Sequence, residues 1–306
     1  MFRVLITDGM EETALQQLRQ LGFEVTEQSV PAGELGSVMS QYDALLVRSA
    51  TKVRSCHIAE AQGSRLKLIL RCGVGVDNID VQAAEAAGIA VRNTPKAASE
   101  SVAELALGHM LSCCRSISVA GHSMREDKWE KKAYAGGMEL WGKTLGIIGF
   151  GRIGQALGHI AKALGMEVLA YDLYPNLQLE QTLGMTYVTL EELLARADVI
   201  SVHAPAADGL PMIRAETIAK MKDGVIVVNT SRGSNVCEDD LLAALNSGKV
   251  RAAGLDVYAS EPSPNHDLYC HPHVSCTPHI GSQTGEAQAR VGAEAVEVLK
   301  TFFAVE

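Results

Sequence analysis

The sequence has no run approaching the roughly 20 apolar residues a membrane-spanning helix needs, and no basic segment leading a long apolar one at its N-terminus. It also has no CxxC pair. Its seven cysteines, an odd number with Cys113 and Cys114 adjacent, suit reduced thiols in a cytoplasmic protein better than a disulfide framework. Positive charge is in deficit, with 27 Lys and Arg against 36 Asp and Glu. The resulting net charge of -9 argues against nucleic acid as the main ligand but leaves room for a locally basic pocket and an anionic substrate. Low-complexity tracts and short-period repeats are missing too. What is there is globular composition, 47% apolar and 21% charged, over 306 residues. That length points to two domains of ordinary size in a soluble protein with no membrane partner.

Short β-branched runs alternate with helical patterns, the mark of parallel βαβ units. Residues 4–7, 24–26, 44–48, 66–70 and 89–92 read as a first series of strands. Helices between them, over 13–21 and 81–87, close on Gly22 and Gly88. One long helix is predicted from about 99 to 118, then a polar stretch without period over 125–142. A second series of strands follows at 144–149, 168–171, 199–203, 225–229, 252–256 and 274–276. Thr189 to Glu192 has the spacing of a capping box, and a last helix spans 285–303. The predicted fold is α/β, with two doubly wound parallel-sheet units of similar plan.

Gly149-Phe150-Gly151-Arg152-Ile153-Gly154 is a GxGxxG run, weak by itself in a chain with 28 glycines. Its context strengthens it, with an apolar strand before and a helical pattern over 155–164 after. The first glycine allows the tight turn, the second a close approach to a pyrophosphate, the third close helix–strand packing. The helix N-terminus adds N–H groups and a positive dipole. Asp172 ends the next strand, about 20 residues on, where a carboxylate accepts from ribose hydroxyls. Residues 173–176 hold no arginine for a 2′-phosphate, so NAD is favoured over NADP. The alternative is a glycine-rich turn with a solvated Asp172.

Three later segments carry polar residues at strand ends: Asn229 to Gly233, Asp256 to Pro262, and Thr277 to Gly281. Strand C-termini form the ligand crevice of a doubly wound sheet, so these segments should converge. Taken singly, Arg232 would cap a sheet edge, Glu261 would be a solvated turn residue and His279 a core histidine. Their recurrence at three successive strand ends behind a dinucleotide motif counts against all three at once. His266, Cys270, His271, His273, Cys276 and His279 also crowd together. They lack CxxC or HxxxH spacing, and Pro272 and Pro278 stiffen the chain between them, so no metal is expected.

Together with residues 47–53, 71–80 and 127–132, these segments resemble, in order, the signature segments of the D-isomer-specific 2-hydroxyacid dehydrogenases. The resemblance covers nearly the whole chain and is best to the D-3-phosphoglycerate dehydrogenases. It implies hydride transfer between NAD and C2 of a D-2-hydroxy acid. Arg232 would hold the substrate carboxylate and polarise the 2-oxo group, work suited to a guanidinium fork. His279 would be the acid/base and Glu261 would bond its far ring nitrogen. Gly149, Gly151, Arg152, Ile153, Gly154, Asp172, Ala204, Pro205, Thr230, Ser231, Asp256 and Gly281 would bind the cofactor. Gly73, Val74 and Gly75 would meet the substrate, with Val74 reaching the cofactor as well. The same resemblance implies an NAD domain of residues 99–284 inserted in a substrate domain of 1–98 and 285–306, closing over the substrate. It further implies a homodimer through the NAD domains and the 125–142 arm.

A phosphorylated substrate needs cations beyond Arg232, and the resemblance assigns them to Arg48 and Arg71. Lys131 and Lys132 fall in the stretch a partner subunit presents. Conversion of 3-phosphoglycerate to 3-phosphohydroxypyruvate, in serine biosynthesis, is therefore expected. Glyoxylate or hydroxypyruvate reduction is the alternative on the same fold, and an NAD-sensing corepressor-like binding protein the alternative of another class. No counterpart of the C-terminal regulatory domains of many phosphoglycerate dehydrogenases is seen, so serine feedback through them is not expected. Residues 96–101 also differ from the usual polar hinge.

Overall fold

A computed structural model describes residues 1–206 and 209–305; Glu306, the end of the expected terminal segment, lies outside them. The chain divides into two compact units, Met1–Ala98 with Ser282–Glu306, and Ser99–Gly281. The second boundary falls three residues before the expected 284/285. Thr284 Oγ1 accepts the Ala287 N–H at 3.1 Å and caps the Gly285–Phe303 helix, so the preceding turn goes with that helix.

The first unit is built on β1 (Arg3–Ile6), β2 (Glu24–Glu27), β3 (Ala44–Val47), β4 (Leu68–Arg71) and β5 (Ala90–Asn93), in the order β2-β1-β3-β4-β5. Every pairing is parallel. Side chains alternate between faces as a strand dictates. Val4, Ile6 and Leu46 pack with Leu15 and Leu18 of the Glu12–Gln20 helix and with Val291, Ala295 and Leu299 of the terminal helix. Leu5, Leu45 and Ile69 face the other way, against Met39, Ile58 and Ala84.

The second unit holds β6 (Thr144–Ile148), β7 (Glu167–Tyr171), β8 (Thr186–Tyr187), β9 (Val199–Val202), β10 (Val225–Asn229), β11 (Val250–Leu255) and β12 (Val274–Cys276). They form one parallel sheet in the order β12-β11-β10-β9-β6-β7-β8. β9 and β10 are apolar almost throughout and wholly buried, as strands covered on both faces must be. The strand order reverses between β6 and β9, the switch point where such sheets bind ligands beyond their carboxyl ends.

Two local expectations need correction. The single helix predicted over 99–118 is two, Ser99–Arg115 and Ile117–Arg125, because Ser116 takes a left-handed conformation at φ 52° and ψ 35°. Only half of the capping box forms: Thr189 Oγ1 accepts the Glu192 N–H at 3.2 Å, while the Glu192 carboxylate turns to Arg196. Among the described residues no helix is long and apolar enough to cross a membrane.

Candidate active site

Gly149 leaves β6 with φ +90°, and a Cβ there would stand 2.6 Å from the backbone nitrogen of Ala204. Only glycine lets the ends of β6 and β9 approach so closely. A Cβ on Gly154 would lie 2.5 Å from the Gly149 carbonyl oxygen, so its absence seats the Arg152–Ala163 helix on the turn. Gly151 faces open space, and no side chain caps the helix it precedes. Arg152 is exposed and Ile153 half-buried in the first helical turn. Asp172, just beyond β7, accepts the Phe150 N–H at 2.7 Å and the Tyr174 N–H at 2.9 Å, one on each carboxylate oxygen. Those bonds tie it to the glycine turn and leave each oxygen a further lone pair for a ligand. The Thr230 hydroxyl is buried without a hydrogen-bond partner in the structure. An open glycine front, an anchored carboxylate and an unsatisfied hydroxyl fit a dinucleotide.

The Arg232 turn is fixed by two asparagines that nothing in the sequence pattern singled out for this task. Asn229 Oδ1 accepts from Ser231 N–H at 3.0 Å and Ser231 Oγ at 2.8 Å, and its Nδ2 donates to the Arg232 carbonyl at 2.8 Å. Asn235 Nδ2 donates to Ser231 Oγ at 3.1 Å and to the Ala204 carbonyl at 3.0 Å, joining the loops after β9 and β10. Pro205, the next residue, is exposed. Arg232 is half-buried, with Nη1 donating to the Ser231 carbonyl at 2.7 Å.

His279 Nδ1 lies 2.8 Å from Glu261 Oε2, and Glu261 Oε1 accepts the Tyr258 N–H at 3.2 Å. Burial works to raise the Glu261 carboxyl, but the bond and charge of His279, the Tyr258 N–H and the Arg232 charge together hold it below the usual carboxylate value. Glu238, another residue without a sequence signal, accepts from Ala259 N–H at 2.8 Å and Asn265 Nδ2 at 3.0 Å, fastening the loop that carries Glu261. His279 itself has φ 53°, unusual for a residue with a side chain. A cavity of about 460 Å³ opens beside the pair, lined by residues including Tyr258, Pro262, Tyr269 and Cys276.

Asp256 lies just beyond the end of β11. It is 1% exposed, and its carboxylate takes the Thr277 hydroxyl at 2.6 Å and the N–H groups of Ile280 and Gly281 at 2.8 Å each. With three donors converging on it, Asp256 fastens the loop around His279. Arg232, Glu261 and His279 thus occupy the ends of β10, β11 and β12, as their strand positions led one to expect.

In the first unit Arg71 ends β4 opposite Val47, and Arg48 follows β3, so the two guanidinium groups spring from adjacent strand ends. The Asp8 carboxylate holds the Arg48 loop through the N–H groups of Arg48 at 2.7 Å and Thr51 at 3.1 Å. Asn78 Nδ2 bonds the carbonyls of Arg48 and Thr51 at 2.7 Å each. Gly73 has φ +149°, and a Cβ there would overlap the Arg71 guanidinium. Burial pushes the neighbouring Cys72 thiol up to about 12 despite the charges of Arg71 and Arg48. Val74 is exposed, with its carbonyl held by Asn93, and Gly75 is half-buried. Lys131 and Lys132 are exposed in the turns after the Ile117–Arg125 helix. Among the described residues no group of three His, Cys, Asp or Glu is arranged to hold a metal.

Residues 107–281 match the family model described as D-isomer specific 2-hydroxyacid dehydrogenase, NAD binding domain. The chain belongs to the D-isomer-specific 2-hydroxyacid dehydrogenases. It is accordingly an NAD-dependent oxidoreductase, and the second unit is its NAD-binding part. Hydroxypyruvate reductase of Thermotoga maritima is 48% identical to this dehydrogenase over 301 residues, 97% of this chain and 96% of that one. D-3-phosphoglycerate dehydrogenase of Methanocaldococcus jannaschii is 42% identical over 302 residues, 98% of this chain but 57% of that one. The chain spans about half the length of the curated D-3-phosphoglycerate dehydrogenases it matches. D-lactate dehydrogenase from Aquifex aeolicus, solved with NAD and lactic acid, superposes with a TM-score of 0.86 at 31% identity, over 98% of this chain and 95% of that one.

Proposed function

We propose that this dehydrogenase interconverts 3-phosphoglycerate and 3-phosphohydroxypyruvate, with Arg232, Glu261 and His279 as its catalytic residues. One observation carries the chemistry: His279 Nδ1 is 2.8 Å from the Glu261 carboxylate. Glu261 thereby fixes the tautomer and leaves Nε2 as the nitrogen that exchanges a proton with the substrate oxygen. NAD, when bound, supplies the hydride chemistry at C2. In oxidation His279 takes the hydroxyl proton, and in reduction it returns one to the alkoxide oxygen. The Glu261 charge steadies the imidazolium in both directions. Arg232 pairs with the substrate carboxylate and draws charge from the 2-oxo group. Gly149, Gly151, Arg152, Ile153, Gly154, Asp172, Ala204, Pro205, Thr230, Ser231, Asp256 and Gly281 hold the cofactor, and Gly73, Val74 and Gly75 serve the substrate, Val74 meeting the cofactor as well.

The phosphorylated substrate is favoured by Arg48 and Arg71, two guanidinium groups on adjacent strand ends. A second reading, reduction of hydroxypyruvate, is favoured by the relative that matches at 48% over both full lengths. A homodimer in the cytoplasm completes the proposal, and sedimentation at twice the chain mass is the expected result. Turnover of phosphorylated and unphosphorylated acids by wild type and Arg71→Ala decides the substrate. Arg71→Ala should lose at least about tenfold more kcat/KM on the phosphoacid than on hydroxypyruvate, as loss of one charged hydrogen bond implies. Good turnover of hydroxypyruvate with none of the phosphoacid would assign the second reading.

A further inference from the structure

His109 has no part in the chemistry above, yet it is built into the structure with unusual care. It projects from the Ser99–Arg115 helix and is 2% exposed. Nδ1 lies 3.0 Å from Ser275 Oγ, and Nε2 lies 3.0 Å from Thr277 Oγ1. The Thr277 hydroxyl gives its one proton to Asp256 Oδ1 at 2.6 Å. Toward His109 it can therefore only accept, which puts the ring proton on Nε2 and leaves Nδ1 to accept from Ser275. Burial lowers the imidazole's pKa, against the opposing pull of Asp256, and so favours this neutral form.

Room for the ring comes from the sheet. A Cβ on Gly254, in β11, would stand 2.5 Å from the His109 Cβ and 3.1 Å from its Cγ. An apolar side chain would fill a helix–sheet seam without needing polar partners, whereas a buried imidazole is costly unless both nitrogens are bonded, as here. The chain of donors ends at the carboxylate that also receives Ile280 and Gly281, the residues following His279.

We infer that His109 is a positioning residue: through Thr277 and Asp256 it sets the loop that presents the His279 imidazole. The inference rests on His279 being the acid/base. Without the Nε2 donor, the Thr277 hydroxyl is free to turn away from Asp256, and the loop loses one of the bonds that fix its left-handed residue. Misplacement of a proton-transfer group lowers kcat far more than binding.

The test compares His109→Leu, His109→Gln and His279→Asn in steady-state turnover, with NADH binding by fluorescence giving the number of competent sites. His109→Leu should lower kcat per site about tenfold, with KM for the oxo acid and Kd for NADH within about twofold of wild type. His109→Gln, whose amide N–H can reach Thr277, should recover most of that loss. A residue that merely fills space would cost thermal stability in both variants and leave kcat per site alone. The inference fails if His109→Leu keeps kcat within twofold, or if a folded His109→Gln is no better than His109→Leu. Should His109→Leu not fold, Thr277→Val breaks the same link from its other end and must lower kcat likewise. An active His279→Asn would sink the acid/base reading itself; an inactive one beside a normal His109→Leu would sink only the role of His109.

Discussion

Glu261 and His279 form a charge pair only while the imidazole is protonated, so in the proposed reaction the carboxylate would act by steadying that charge. Reduction of a 2-oxo acid needs the imidazolium. Replacing Glu261 by the neutral Gln keeps a hydrogen-bonding group but removes that bias. Glu261→Gln should therefore lower kcat at least about tenfold while NADH binding holds, read by steady-state turnover and NADH titration. A kcat within twofold of wild type would deny the carboxylate this role. His279→Asn should lose about 100- to 10,000-fold in kcat, the usual worth of a positioned acid/base, with NADH binding retained. In the proposed cofactor site, the Asp172 carboxylate has no cation among residues 173–176. Asp172→Ser should narrow the preference for NAD over NADP, read as the ratio of kcat/KM for the two cofactors.

The two sheets begin with the same device. Asp43, just before β3, accepts the Arg3 N–H at 2.7 Å, and Asp198, just before β9, accepts the Thr144 N–H at 2.9 Å. Each carboxylate thus ties the starts of two neighbouring central strands. Arg65 grips both oxygens of Asp43, at 2.8 and 3.1 Å, and Lys222 reaches Asp198 at 2.9 Å. Burial works to raise both carboxyls, but these donors hold them below the usual value. A carboxyl whose folded pKa is depressed stabilises fully above its unfolded pKa, near ~4, and loses that contribution as pH falls through the folded value. Asp43→Asn should cost about 1–3 kcal/mol at pH 7. The gap from wild type should close on thermal unfolding as pH falls through the folded value, below which both chains carry a neutral group. Strands and glycine turns of this kind were legible because alternation and positive φ are local demands. The break at Ser116 was not, since Arg115-Ser116-Ile117 contains neither Gly nor Pro. Nor was the two-residue β8, too short to show a period. Arg232, Glu261 and His279 could be read from their places at strand ends. Asn235, Glu238 and His109 could not, because each bonds a segment remote in sequence and carries no spacing of its own.

Across the whole chain, the first unit is discontinuous in sequence. Residues Met1–Ala98 depend for their core on Val291, Ala295, Val296 and Leu299 of the Gly285–Phe303 helix, which follows the entire second unit. That helix meets the Glu12–Gln20 helix at a point where a Cβ on Gly292 would stand 2.7 Å from the Cβ of Ala14. A large side chain there must push the two helices apart, and overpacking of this sort costs about 1–3 kcal/mol. The second unit has its own clusters, such as Ile147, Leu157 and Val168 on one face of the sheet and Ile200, Val227 and Leu241 on the other. Gly292→Leu should therefore lower the unfolding temperature of the first unit while NADH affinity stays within about twofold. Calorimetry with and without cofactor separates the two, because a ligand at 100 times its Kd stabilises only the unit it binds, by about 2.7 kcal/mol. A Gly292→Leu chain in which the NADH-responsive transition falls as far as the other would mean that the terminal helix supports both units, and that separate cores do not make separate folding units.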